Sequence, residues 1–587
     1  MKPLARLFSY IKKHPFYLAF SLIFALLFVI SMTFVPLLFG KATDEIVRAI
    51  NSSIALNDTK FFEYLFIALG LIFVVLVFEF LFDYSINYFV ELITKDLKDD
   101  VFINLNETSI SYIDTHPHGD LVSRCINDTD NINTALISAF KQFYQGIIQI
   151  ITTLIIMFIY NWILALIVTF LTPIGFLLSF IVAKRSNRFF KNQAKVVGEI
   201  GGIVLEDFNN IDVIKSFNYE KKSFDVFSKT NDKLYECGQK AQFFSSFTNP
   251  TTRLINNSTY AIVGMIAATL CAISFNDGNV ILGASCTVGS ILVFIQFSNQ
   301  FAKPFNEISS CITEIQSGLS SLKRVNEILE QEKDIDEGTL LLNDDVKEID
   351  FNHVYFSYVP NRKLIENFSL PIKQGMKVAI AGPTGCGKTT MINLLLRFYD
   401  PTSGSIDING KSSSFYKKSS FRSKFGMVLQ DTWIFNGTVK ENIMYGKQDA
   451  TMDEIIEASK RANCYNFIMR LPKGFDTLIS DSSGLSVGEK QLICIARVML
   501  RESQIMILDE ATSNIDTRTE MKISTAFNKM TEGKTSFMIA HRLQTIINSD
   551  LIIVMKDGHI IETGKHEELL EKHGFYYDLY NAQYVIW

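Results

Sequence analysis

Apolar residues come first in long runs and, in the second half of the chain, in short ones. Six runs approach the roughly 20 residues that a bilayer-spanning helix needs. They cover residues 15–40, 64–82, 143–160, 163–183, 258–275 and 288–302. The last is interrupted by Gln296, Asn299 and Gln300. Asn161-Trp162 is the only polar break between the third and fourth runs, which predicts a tight helical hairpin. The first run is too long for a signal-peptide core and has no small-residue cleavage pattern behind it, so it reads as a transmembrane helix. From residue 340 onward the apolar stretches shorten to strand length and alternate with helical patterns, the signature of an α/β domain.

The spacing between runs adds a second feature. About 60 residues separate the second run from the third, and about 75 separate the fourth from the fifth, while keeping helical periodicity. Val90, Leu92, Ile93, Leu97 and Val101 carry that periodicity in the first stretch, and His116-Pro117-His118-Gly119 breaks it near its middle. Two helices of about 30 residues would reach roughly 45 Å into the cytosol and return. Such hairpins suit transmission of force from a soluble domain held well below the membrane. Lys2, Arg6, Lys12 and Lys13 precede the first run, and Lys184, Arg185, Arg188, Lys191 and Lys195 follow the fourth. The loop around 276–285 has neither Lys nor Arg, so both termini are expected in the cytoplasm.

Composition changes the picture only by exclusion. A chain of 587 residues is too long for one hydrophobic core. Its net charge is only −5, without the basic patch that nucleic-acid binding requires. The eight cysteines form no CxxC pair, a pattern of reduced thiols rather than disulfides or a zinc site. Within the spans, Glu79 is a charge in an expensive place. Gln145, Gln149, Asn256, Gln296, Asn299 and Gln300 either line a path or hydrogen-bond between helices. His116 and His118 flank a proline and read as solvated loop residues rather than a metal pair.

The candidate chemistry lies in the second half. Gly382-Pro383-Thr384-Gly385-Cys386-Gly387-Lys388-Thr389 fits the phosphate-loop pattern G-x-x-x-x-G-K-[ST], and Thr390 follows it. Glycines let backbone N–H groups close around phosphates, Lys388 reaches them, and Thr389 can ligate Mg²⁺. Residues 377–381 predict a strand before the loop and residues 391–398 a helix after it. Further on, Ile505-Met506-Ile507-Leu508 predicts a buried strand that ends in Asp509 and Glu510. There Asp509 is suited to hold Mg²⁺ through water, and Glu510 to polarise an attacking water.

With these residues in hand, nearly the whole chain resembles the ATP-binding-cassette (ABC) exporters. Leu485-Ser486-Val487-Gly488-Glu489-Lys490-Gln491 resembles their signature L-S-G-G-Q-x-Q. Gln430 matches the glutamine loop that senses Mg²⁺, Ser513-Asn514-Ile515-Asp516 the D-loop, and His541 the switch histidine. Tyr358 sits where the family stacks an aromatic ring on adenine. Tyr112-Ile113-Asp114 with Gly119-Asp120-Leu121-Val122-Ser123-Arg124 resembles the first intracellular loop of multidrug and lipid exporters, and Glu206 with residues 211–217 the second. The resemblance implies short coupling helices near His116 and Val213 that dock on ATPase domains, the second usually on the partner subunit. It implies an α-helical six-span transmembrane domain (type I ABC exporter, type IV transporter fold) followed by an α/β P-loop nucleotide-binding domain. The expected boundaries are 1–325 for the membrane domain, 326–344 for a linker and 345–587 for the nucleotide-binding domain.

The resemblance further implies ATP-driven export with Mg²⁺ as cofactor. Nucleotide would contact Tyr358, residues 382–390, Ser486, Gly488 and Glu489. Glu510, His541 and Gln430 would act in hydrolysis, and Thr389, Gln430 and Asp509 at the metal. One chain has one ATPase domain, so a second half-transporter is required. Val487 replaces a glycine and Glu489 a glutamine, which is expected to weaken the signature by bulk and by negative charge facing the nucleotide. Lys388, Asp509, Glu510 and His541 keep the family pattern. The expectation is therefore one half of a heterodimer that exports hydrophobic or amphipathic drugs or lipids. The alternatives are a homodimeric lipid flippase and an ATP-gated channel or regulatory subunit. The absence of a protease-like extension before Pro15 argues against a peptide-processing exporter.

Overall fold

The computed structural model describes residues 3–52, 58–277, 287–359, 363–429, 432–481, 484–509, 516–539 and 546–584. The chain forms two compact units: Met1–Glu107 with His116–Gln331, and Thr108–Thr115 with Glu332–Trp587.

The first unit is helical. In chain order its part of the fold runs α1 (Pro3–Lys13), α2 (Pro15–Ser52) and α3 (Asp58–Glu107). Next comes α4 (Ile110–Thr115), which belongs to the second unit. Then follow α5 (His118–Ser123), a π-helical turn (Arg124–Asp128) and α6 (Thr129–Tyr160). The chain continues with α7 (Trp162–Asn209), α8 (Ile211–Ser216), α9 (Glu220–Ser246), α10 (Thr248–Asp277) and α11 (Val288–Leu329). The six apolar runs fall within α2, α3, α6, α7, α10 and α11. Among the described residues, Pro15–Ile50, Thr59–Glu107 and His118–Tyr160 are long and apolar enough to cross a bilayer, and Trp162–Ile174 is a shorter apolar helix. At 1.5 Å per residue, α3 is roughly 75 Å long, far more than a bilayer of about 30 Å accommodates. Asn161 makes the expected hairpin by capping α7, its side-chain oxygen accepting from the backbone N–H of Ile163 and Leu164.

Sequence pattern and packing agree along α3. Val90, Ile93, Leu97 and Val101 are buried against α1, α6 and α11, while Phe66, Phe73 and Phe80, spaced seven apart, are exposed as a lipid-facing stripe would be. Glu79 is also exposed. Gln149 donates to the Gln300 carbonyl at 3.1 Å and Tyr260 to Asn299 at 3.0 Å, so these polar residues link helices. At the start of the π turn, Arg124 bonds Asp120 at 2.8 Å and Glu327 of α11 at 2.7 Å. Arg324 pairs with Asp120 and lies 3.3 Å from Asp128, and Ser321 donates to Asp128 at 2.7 Å.

At the other end of α11, its first turn meets α2 backbone to backbone. A Cβ on Gly289 would stand 2.2 Å from the Gly40 carbonyl. Asp44 accepts there from the Gly289 N–H and the Thr287 hydroxyl, both at 2.8 Å.

The second unit is α/β. It runs β1 (Glu348–Phe356), β2 (Ile365–Lys373), β3 (Lys377–Ala381), α12 (Lys388–Leu395), β4 (Ser403–Ile408), β5 (Lys411–Ser412), α13 (Lys418–Arg422) and β6 (Phe425–Val428). A helical stretch follows: β7 (Gly437–Thr438), α14 (Val439–Met444), α15 (Met452–Arg461), α16 (Tyr465–Ile468), β8 (Leu478–Ile479) and α17 (Val487–Leu500). The unit closes with β9 (Ile505–Asp509), α18 (Thr517–Thr531), β10 (Thr535–Ile539), β11 (Leu551–Lys556), β12 (His559–Gly564), α19 (His566–Glu571) and α20 (Phe575–Tyr584). The main sheet has the order β12-β11-β3-β10-β9-β6, parallel except for β12. Its central strands are continuously apolar because both faces are covered. An antiparallel sheet, β2-β1-β4-β5, packs its apolar face on α12 and β3.

Candidate functional site

The parallel register brings the nucleotide chemistry to one edge of the main sheet. Ile380 of β3 pairs with Ile539 of β10, which pairs with Asp509 of β9. The phosphate loop leaving β3 and the carboxylate ending β9 thus emerge at the same carboxyl edge, where parallel α/β sheets bind ligands.

The loop itself depends on glycine at both ends. Gly382 has φ +153°, and a Cβ there would stand 2.3 Å from the Met555 carbonyl and 2.8 Å from Cys386 Sγ. Gly387 has φ +105°, and a Cβ would meet Ile365 at 2.7 Å. Helix α12 starts at Lys388, earlier than the sequence pattern predicts, because Gly387 serves as its left-handed N-cap. Its first N–H groups therefore belong to the motif and point into the loop, a ready anion site. Lys388 is buried, its Nζ donating to the carbonyls of Gly382 at 2.8 Å and Pro383 at 3.0 Å. Thr389 is exposed on the first turn while Thr390 packs inward. Pro383, Thr384 and Gly385 are exposed along the loop.

Cys386 is almost fully buried. Burial pushes its thiol up, and the Lys388 ammonium only partly opposes this. It is a thiol at neutral pH and a sluggish target for alkylation. Among the described residues, Cys125, Cys237, Cys311, Cys386, Cys464 and Cys494 form no disulfide.

Asp509 is nearly buried at the end of β9. With Thr389 it offers carboxylate and hydroxyl oxygens, the hard donor set Mg²⁺ takes. Among the described residues there is no cluster of three His, Cys, Asp or Glu side chains. Gln430, Glu510, His541 and the first three D-loop residues, 513–515, lie outside the described residues.

The base side of the site is aromatic. Tyr358, 46% exposed just beyond β1, meets Phe356 at 4.9 Å and Tyr399 at 5.0 Å, both edge-on. Its hydroxyl accepts from Asn393 of α12 at 3.2 Å. Tyr399 was not singled out from the sequence; its place in Arg397-Phe398-Tyr399-Asp400-Pro401, just after the phosphate-loop helix, was the available signal.

The signature differs from its sequence reading in one respect. Ser486 is the N-cap of α17 and Glu489 its third residue, and the two form a capping box. Glu489 Oε2 accepts from the Ser486 N–H and from the Ser486 hydroxyl, both at 3.0 Å. The carboxylate is folded back onto the start of its own helix rather than projecting outward. Val487 is exposed at the first position and Gly488 is buried. Lys490, which follows Glu489 in α17, pairs with Asp481 at 3.2 Å.

A long-helix membrane unit and a phosphate-loop ATPase in one chain define an ATP-driven membrane transporter. Residues 18–305 match the ABC transporter transmembrane region, and residues 365–513 match the ABC transporter family. The chain is 38% identical over 487 residues to a fatty acid ABC transporter ATP-binding/permease protein of Mycobacterium bovis, covering 83% of this chain and 76% of that one. It is 34% identical to the ATP-dependent lipid A-core flippase of Desulfotalea psychrophila, covering 84% of each chain. It is 31% identical to a putative multidrug export ATP-binding/permease protein of Staphylococcus aureus, covering 94% of each. A bacterial Atm1-family ABC exporter solved with ATP bound superposes with a TM-score of 0.77 at 25% identity, covering 96% of this chain and 98% of that one. The chain belongs to the ABC transporters, as an exporter that fuses membrane and ATP-binding domains. It is a membrane protein of the multidrug and lipid type that couples ATP hydrolysis to transport, with its nucleotide-binding domain in the cytoplasm.

Proposed function

We propose that this chain is the hydrolytic half of a heterodimeric exporter that moves hydrophobic or amphipathic molecules, drugs or lipids, out across the cytoplasmic membrane by alternating access. The observation that carries the proposal is the Ser486–Glu489 capping box. In ABC proteins each nucleotide lies between one subunit's phosphate loop and the other's signature. Here the Ser486 hydroxyl is engaged by Glu489, and a carboxylate offsets the positive end of α17 where an anion would dock. The exposed Val487 side chain keeps the helix start away from phosphate. This chain's signature thus completes a degenerate site on its partner.

Its own phosphate loop keeps every element of hydrolysis. The N–H groups of residues 385–390 and Lys388 hold the β- and γ-phosphates, and Tyr358 stacks on the adenine. Thr389, Gln430 and Asp509 would hold Mg²⁺, which supplies charge neutralisation on the phosphate oxygens. Glu510 polarises the attacking water, and His541 orients the γ-phosphate side. A partner's intact signature closes this site. ATP closure biases the membrane unit toward one of two states, and hydrolysis resets it.

Two surfaces support assembly with a second half-transporter. A groove of about 420 Å³ in the ATPase unit, lined by Phe398, Leu429, Trp433 and Tyr445 and rimmed by Arg422 and Arg497, suits an apolar helix tip. The short helix α8 is such a tip, with Ile211 and Val213 exposed on it and Phe217 exposed just after it.

The test is ATPase activity of the chain purified alone in nanodiscs, as wild type and as V487G/E489Q. The proposal expects low turnover alone, rising about tenfold or more in the double variant as the signature regains its donors. Brisk turnover by a stable wild-type homodimer would refute it in favour of the homodimeric flippase.

A further inference from the structure

The coupling helix α4 folds as part of the ATPase unit, although it comes from the first fifth of the chain. Two of the contacts that hold it lie near its ends. Thr108, just before it, forms an antiparallel bridge with Lys333. Asp114, in its last turn, accepts a 2.7 Å hydrogen bond from the Tyr399 hydroxyl across 285 positions of sequence. Burial and the Asp114 carboxylate push the Tyr399 phenol up, while Ser111 bears on the same oxygen in the opposite sense. The phenol therefore stays protonated and donates throughout the physiological range.

Tyr399 has little freedom of its own. It follows α12 through a hook in which Arg397 takes φ +53°. The Arg397 side chain is buried and donates to the Ser413 and Tyr416 carbonyls, both at 2.7 Å. Arg422 fastens the same hook through the Leu396 carbonyl at 3.0 Å and the Arg397 carbonyl at 2.6 Å. The Tyr399 ring stands perpendicular to Tyr358 at 5.0 Å and packs on Phe356 at 5.6 Å. Tyr358 is the half-exposed member of this trio, held by ring edges and by one bond to Asn393.

We propose that Tyr399 is a positioning residue that reports occupancy of the base platform, Tyr358, to the coupling helix of the same chain through its hydrogen bond to Asp114. A base stacked on Tyr358 removes the ring's remaining motion. The perpendicular contact passes that restriction to Tyr399, and the phenol then holds Asp114 and α4 in one arrangement. The signal starts from the base and reaches α4 without passing through the γ-phosphate or the glutamine loop. Phosphates alone do not supply it.

The inference rests on the reading of Tyr358 as the base platform, and the experiment separates the two. Backbone hydrogen exchange is followed in the full chain in nanodiscs with Mg²⁺ and either ATP or inorganic triphosphate. ATP is expected to slow exchange across residues 110–115 by about tenfold, the weight of one hydrogen bond to a charged group. Triphosphate should protect the start of α12 and leave 110–115 unchanged. Y399F and D114A should lose the slowing at 110–115 while ATP still protects α12, which shows that both variants fold and bind. D114N, which keeps an acceptor oxygen, should retain most of it. Equal protection of 110–115 by triphosphate, or full protection in Y399F, overturns the inference. Y358A tests the underlying reading: unchanged ATP affinity there refutes the base platform and the inference with it. Weakened ATP binding in Y358A beside full helix protection in Y399F refutes the inference alone.

Discussion

Glu489 and Cys386 both depend on surroundings that a residue name does not reveal. A carboxylate at the third position of a helix has two choices, outward to solvent or back to the N-cap, and Ser486 makes the second available. Cys386 likewise carries a thiol whose reactivity is set by burial rather than by its place in a phosphate loop. Its thiol lies above the ordinary cysteine value, so the reactive thiolate is scarce at pH 7 and grows as pH rises. N-ethylmaleimide should therefore label Cys386 slowly at neutral pH and faster toward pH 9, with ATP protecting; rapid labelling at pH 7 contradicts this. The phosphate loop was legible because its glycines answer to backbone angles and close approaches that no other residue meets. The capping role of Glu489 was not, since it depends on α17 starting at Val487. Tyr399 was missed because its partner Asp114 is distant in sequence, and no periodicity links the two.

Among the elements, the spans were legible from hydropathy, and their long extensions from run spacing. What the pattern left out is how neighbouring helices touch. At the start of α11, Gly289 and Gly40 let two backbones meet, and Asp44 closes the contact by capping the helix. Gly70 on α3 has open space where a Cβ would go. The two glycines look alike in sequence and should behave oppositely. G289A must push the Gly40 carbonyl aside at a cost of about 1–3 kcal/mol, the range for overpacking. G70A should be neutral or slightly stabilising through helix propensity. Thermal melting of the detergent-solubilised chain checks the pair: G289A should melt several degrees lower and G70A no lower than wild type. The cluster of Arg124, Arg324, Asp120, Asp128 and Glu327 is a second contact hidden from hydropathy, because charged residues near a loop read as solvated. It joins the π turn to α11, and π turns recur where helices carry function.

For the whole molecule, the order of motifs gives the class of machine, and the proposed asymmetry rests on the altered signature. In the heterodimer proposed above, a chain with this hydrolytic set and a self-capped signature takes a partner of opposite defect. In the assembled transporter, E510Q should lower ATP turnover about 100-fold or more, the scale of a general base, while nucleotide stays occluded. Turnover at the wild-type rate, measured with nucleotide retention on the same preparation, would remove Glu510 from that role.

The ATPase unit is not a contiguous stretch of chain, and this bears on how the protein is made. Residues 108–115 leave the ribosome long before the domain they complete, with which they meet at Lys333 and Tyr399. Until the chain has passed Tyr399 that short helix lacks the bridge partner and the ring it meets in the finished fold, and closing so long a loop is slow. The domain cut off at residue 332 lacks the helix altogether. A nascent chain whose membrane half has gone astray will therefore carry an ATPase domain with one piece missing, a defect open to quality control even when the nucleotide pocket is sound.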